Sequence, residues 1–119
     1  MKWYMAKIVY QIVCGDGQHT PQFDEQLRLI HAHNQLHAFH KARDMGKHEE
    51  DCFLNDLNKP VHWKFIDVAE IVVIDDLADG AEVYSKICEE DDEENYIRTI
   101  HLRAAALREN SSHELLALN

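Results

Sequence analysis

The sequence predicts an α+β domain of order ββαββα: a four-stranded, mostly antiparallel sheet with one main helix on a face and a C-terminal helix. Three observations predict it. Apolar residues alternate with polar ones in several segments, the period of a strand with one buried face. Twice the apolar spacing changes to three and four residues, the period of a helix. Clusters of Gly, Pro, Asn and Asp lie between these segments and turn the chain.

The first strand runs from about Trp3 to Cys14, with Tyr4, Ala6, Ile8, Tyr10, Ile12 and Cys14 on one face. Its other face, Trp3, Met5, Lys7, Val9, Gln11 and Val13, is mixed but largely apolar. Gly15-Asp16-Gly17 breaks the strand and Pro21 closes a loop, so the next strand, Phe23 to Ala32, forms a hairpin with it. There Phe23, Leu27 and Leu29 stand against Asp24, Gln26 and Arg28. Asn34 is the expected N-cap of a helix from about Gln35 to Glu50, with Ala38, Ala42 and Met45 on its inner face.

Residues 51–60 read as a polar connection. Val61, Trp63 and Phe65 alternate with His62 and Lys64 in a long third strand that runs on through Ile71-Val72-Val73-Ile74, bulged or buried on both faces near its end. After a turn at Asp75 to Gly80, Ala81 to Cys88 is expected to be the fourth strand. The acidic run Glu89 to Glu94 precedes a helix from about Asn95 to Arg108, with Ile97, Ile100, Ala104 and Leu107 on one stripe. Ser111 and Glu114 are placed to form a capping box for a short last helix carrying Leu115, Leu116 and Leu118. All this fits one domain over residues 1–119, with a core at about 3–88 and a helical extension at about 95–118.

Charge narrows the partners. Twelve Lys and Arg against 22 Asp and Glu give a net charge of −10, and the cations are scattered along the chain. Such a surface repels phosphate, so neither nucleic acid nor an anionic membrane is an expected partner. Protonating all nine histidines would bring the charge to −1. Cys14, Cys52 and Cys88 are odd in number and widely spaced, which fits a reducing, cytoplasmic setting rather than a disulfide framework. The N-terminal stretch has a lysine within its first apolar run and no signal-peptide core, and no apolar run approaches a membrane span.

Several short patterns together resemble a known family. They are Trp3-Tyr4-x-Ala6, the helix with Ala38 and Ala42, Val61-x-Trp63-x-Phe65 followed by Asp67-Val68, and Asp79-Gly80-x-Glu82-Val83-Tyr84-Ser85. Over roughly residues 3–88 the chain resembles a family of small bacterial proteins known as a domain of unknown function. The resemblance implies a fold and a bacterial source, and it assigns no activity to any residue. The histidines stand outside it.

His33, His37, His40 and Asp44 follow one another at spacings that place them on one stripe of the first helix, opposite Ala38 and Ala42. This reads as a solvated polar face. As metal ligands the four residues would suit Zn²⁺ or Ni²⁺, but a straight helix cannot wrap a tetrahedral ion without ligands from a second element or copy. Other patterns have plainer readings. The acidic run lacks the alternating Asp/Asn/Gly of a calcium loop. Asp67, Glu70, Asp75 and Asp76 have no nucleophile beside them in sequence. Cys52 with His48 lacks a surrounding signature, Gly15-x-Gly17 is too short for a phosphate loop, and Trp3, Trp63, Tyr4 and Tyr84 suit a core.

No catalytic motif and no cofactor site emerges. The expectation is a non-catalytic interaction module that self-associates as a dimer, with an unknown protein partner also in view. Two alternatives are a metal-binding or pH-responsive protein using the histidine-rich helix, and an enzyme whose site is assembled from scattered residues.

Overall fold

A computed structural model describes the backbone of residues 1–117 and the side chains of residues 1–110. Its element order is β1 (Lys2–Cys14), β2 (Gln22–Ala32), α1 (Gln35–His48), β3 (Asp51–Leu54), β4 (Pro60–Ile74) and α2 (Glu93–Ala117). The order is ββαββα, and the sheet is wholly antiparallel with strands arranged β2-β1-β4-β3. The chain divides into two compact units, Met1–Ser85 and the segment from Lys86 onward.

In the first unit, alternation along β1 sends Tyr4, Ala6, Ile8 and Tyr10 to one face, where Ile30 and Ala32 of β2 join them. Helix α1 covers this face with Ala38 and Ala42, small enough to bring its backbone close to the strands. Tyr10, Ile8 and Ile30 are fully buried, each burial favouring the fold by about 1.5–3 kcal/mol. Asn34 caps α1 as its sequence position implies: its extended backbone frees the side chain to accept the His37 N–H at 2.8 Å.

Strand β4 carries two bulges against β1, at Ala69 and Ile66. Each bulge flips the side-chain alternation, so Phe65, Val68 and Ile71 all reach the α1 side although they lie three residues apart. The long apolar run of this strand is therefore divided by bulges.

One predicted strand is not a strand. Ala81 to Cys88 takes no ladder, and the fourth strand is instead β3, in the segment read as a polar connection. Turn chemistry decides this. The Asn55 side chain accepts the N–H groups of Leu57 and Lys59, Asn58 takes the left-handed φ of 62°, and Asn55 N–H meets the Lys59 carbonyl. This closes a hairpin that pairs Asp51–Leu54 with the start of β4.

In the second unit, Asp92 caps α2 by accepting the Asn95 N–H, with Glu93 and Glu94 in the first turn where the helix dipole favours acids. The helix is continuous from Glu93 to Ala117, so no separate last helix begins at Ser111. The side chains of the expected capping box, Ser111 and Glu114, lie outside the described residues, as do those of Leu115 and Leu116 and all of Leu118. No described helix is long and apolar enough to cross a membrane.

Candidate interaction surface

The sheet face away from α1 is built by the other register of β1: Trp3, Met5, Lys7, Val9 and Gln11, flanked in β2 by His31, Leu29, Leu27, Glu25 and Phe23. At its centre the Lys7 side chain is only 15% exposed, 4.0 Å from Glu25 and 3.9 Å from Glu70. The Tyr84 ring stands over the ammonium with its centroid 5.3 Å away. Burial pulls the Lys7 pKa down, but Glu70, Tyr84 and Glu25 outweigh it and the net direction is upward. This cluster explains the run after Gly80: Tyr84 anchors the chain across Lys7 and Glu70 without any ladder.

Outside that cluster the face is most open and apolar along β2. Phe23, Leu27 and Leu29 are 56%, 51% and 53% exposed, in line along β2. Beside Leu29 on the same face, Met5 is only 3% exposed, so this face is closed over Met5 and open along β2.

The two edges of the sheet differ. The outer edge of β4 beyond β3 is blunted: Glu50 accepts the Phe65 N–H at 3.3 Å, Asp67 accepts the Val68 N–H at 2.8 Å, and the two bulges lie between and beside these residues. Strand β2 forms the opposite edge and pairs with β1 over eleven residues without a bulge. Its His31 carbonyl accepts from Lys41 Nζ at 2.8 Å. By strand alternation the backbone groups of Phe23, Glu25, Leu27 and Leu29 point the same way.

On the α1 side of the same strand lies a polar ladder. Gln26 donates to Asp24 Oδ2 at 2.7 Å, and Arg28 Nε donates to Gln26 Oε1 at 3.2 Å. Trp63 Nε1 also donates to Asp24 Oδ2, at 3.1 Å, and Arg28 pairs with Glu49 at the end of α1. Sequence reading saw Asp24, Gln26 and Arg28 alternate, but only the fold puts Trp63 and Glu49 at the two ends.

The histidine stripe begins just before α1 and runs along it. His33 precedes the N-cap, and its N–H donates to His37 Nδ1 at 3.0 Å while the two rings stack with centroids 5.2 Å apart. His40 packs edge-on against Phe39, and Asp44 is an exposed residue one turn further on. Among the described residues no three His, Cys, Asp or Glu side chains gather as a metal site.

The remaining constellations separate as well. Glu70 belongs to the Lys7 cluster and Asp67 to the β4 edge, while Asp75 and Asp76 follow the strand end. Cys52 stands in β3 opposite His62, whereas His48 ends α1. Gly15, just after β1, donates its N–H to the carbonyl of Pro60 at the start of β4. An open apolar groove of about 510 Å³ lies between α1 and β4, lined by Leu36, Phe39, Val68 and Ile71 among others.

The family model described as "Domain of unknown function (DUF4288)" matches residues 3–85, ending where the first unit ends. No curated protein and no solved structure matches the chain.

Proposed function

The chain belongs to the DUF4288 family, and we propose that it acts as a non-catalytic interaction module that self-associates as a homodimer through the β2 side of its sheet. The observation that carries this reading is the row of Phe23, Leu27 and Leu29, each more than half exposed on an edge strand. Three large apolar side chains in line on an open edge are the kind of surface that binding buries. A reducing cytoplasm suits the reading, since Cys14, Cys52 and Cys88 are unpaired thiols.

The test is native mass spectrometry of the untagged chain over a concentration series, repeated on a Leu27→Ser/Leu29→Ser variant. A wild-type dimer that the double substitution shifts toward monomer is the expected result. A wild-type chain that stays monomeric at every concentration overturns the reading, and so does a dimer that the substitutions leave unchanged.

A further inference from the structure

The occupant of the β2 edge is a second copy of this chain. We infer that two copies join antiparallel along β2 about a twofold axis at Gln26, fusing two four-stranded sheets into one of eight strands. This rests on the self-association proposed above and specifies its geometry.

The edge itself comes first. In one sheet, β4 is bulged and has the N–H groups of Phe65 and Val68 taken by Glu50 and Asp67, while β2 is eleven residues long and pairs without a bulge. Bulges and side-chain caps are the devices that keep an edge from pairing, and they are concentrated on the other edge. The outward backbone groups of Phe23, Glu25, Leu27 and Leu29 form a regular template for a further strand.

Register then follows from charge. In a twofold antiparallel pair the numbers of facing residues have a constant sum, so one residue faces itself. With Gln26 at the axis, Asp24 faces Arg28 of the other copy on both sides of the centre, and Phe23 faces Leu29. The close, non-hydrogen-bonded positions then hold Asp24–Arg28, Gln26–Gln26 and Arg28–Asp24, where side chains interact most strongly. Centring on Glu25 sets that carboxylate against its own copy. Centring on Leu27 sets Asp24 against Ile30 and Arg28 against Gln26, so neither charge meets its opposite.

The side chains are already disposed for the Gln26 register. Asp24, Gln26 and Arg28 are bonded into one ladder along the strand. Both bonds to Asp24 reach Oδ2, so Oδ1 is the atom the pairing would use. Arg28 engages Gln26 through Nε and Glu49 through one terminal nitrogen, and its guanidinium fork has further N–H groups to offer.

The test is a pair of charge reversals measured by sedimentation velocity. Asp24→Arg sets arginine against arginine across the axis, and Arg28→Asp sets aspartate against aspartate. Each variant alone is expected to dimerise roughly tenfold more weakly than wild type, and an equimolar mixture to recover a tight heterodimer with two opposite-charge pairs. A wild-type dimer that neither reversal weakens, or a mixture no tighter than its components, overturns the β2 pairing and leaves self-association standing. A wild-type monomer removes both. Where either reversal fails to fold, Gln26→Cys decides: its thiols meet at the axis and form a disulfide-linked dimer on mild oxidation. A variant that cross-links no more than wild type overturns the register.

Discussion

The Tyr10 hydroxyl donates to the carbonyl oxygen of Gly46 at 2.8 Å, joining the middle of β1 to the last turn of α1. Tyr10 is 1% exposed, so this bond lies in the core. It exists because α1 comes down to the sheet at Gly46. A Cβ there would stand 2.5 Å from Cε2 and 2.8 Å from Cδ2 of Phe65. Ala38, Ala42 and Gly46 are thus one row of small residues, and Gly46 is where the helix comes too near the sheet for any side chain.

Gly46→Ala is therefore expected to destabilise the fold. Helix propensity alone would favour alanine by about 1 kcal/mol. Against it stands a contact with a packed aromatic ring, and overpacking of a core costs about 1–3 kcal/mol. The clash wins because Phe65 is a rigid ring that also meets Tyr10 edge-on, with centroids 5.9 Å apart. Urea denaturation monitored by circular dichroism would show a lower midpoint. A variant as stable as wild type would contradict the close approach.

The buried Tyr10 hydroxyl also sets an alkaline limit. Burial, first of all, raises the Tyr10 hydroxyl above its ordinary value of 10.0, with Arg28 opposing and Asp24 and Glu50 adding to the rise. As pH climbs past 10.0 the unfolded chain gives up this proton before the folded chain does, so the folded state binds more protons and stability falls. The contribution is present in full below the unfolded value and is lost as pH rises through the folded one. Tyr10→Phe, measured by urea midpoint from pH 9 to pH 11, should show a shallower decline than wild type and, below that range, a loss of about 1 kcal/mol for the missing hydrogen bond. Parallel curves would remove Tyr10 as the cause.

Lys7 is the next test. Its two carboxylate neighbours stand at 3.9 and 4.0 Å and are themselves largely solvated, so removing the cation should cost little. Lys7→Met keeps the apolar stem under Tyr84 and is expected to leave the urea midpoint little changed. Lys7→Glu, in contrast, puts a third carboxylate between Glu25 and Glu70 and should be clearly less stable, with the deficit shrinking in high salt. Equal stabilities for the two variants, or a deficit insensitive to salt, would mean the charges there are not coupled.

What could be seen in the sequence was whatever repeats. The alternation of Tyr4, Ala6, Ile8 and Tyr10 marked the buried face of β1, and Asn34 marked the start of α1, because each signal is local. The exchange of one strand for another was not legible. Ala81, Val83 and Tyr84 carry a strand-like composition, yet Tyr84 is held from its side chain by Lys7, a residue 77 positions earlier. For the surface, both stripes of β2 could be written down from alternation alone. Whether that strand was an edge depended on β4 pairing with the other side of β1, a relation between residues far apart in the chain, such as Trp3 and Ile74.

The strand that was missed also gives a sharp test. Asn58 holds a left-handed φ of 62° in the turn between β3 and β4, and its N–H donates to the Asn55 carbonyl at 2.8 Å. Asparagine tolerates that backbone better than most residues, and glycine adopts it without strain. Asn58→Gly should therefore leave stability within about 0.5 kcal/mol of wild type, while the β-branched Asn58→Val should lose about 1–2 kcal/mol. Amide hydrogen exchange locates the loss. In the valine variant, protection should fall first in Asp51–Leu54 and the start of β4, leaving the β1–β2 ladder intact. If valine is tolerated as well as glycine, the left-handed turn is not what makes residues 51–54 a strand.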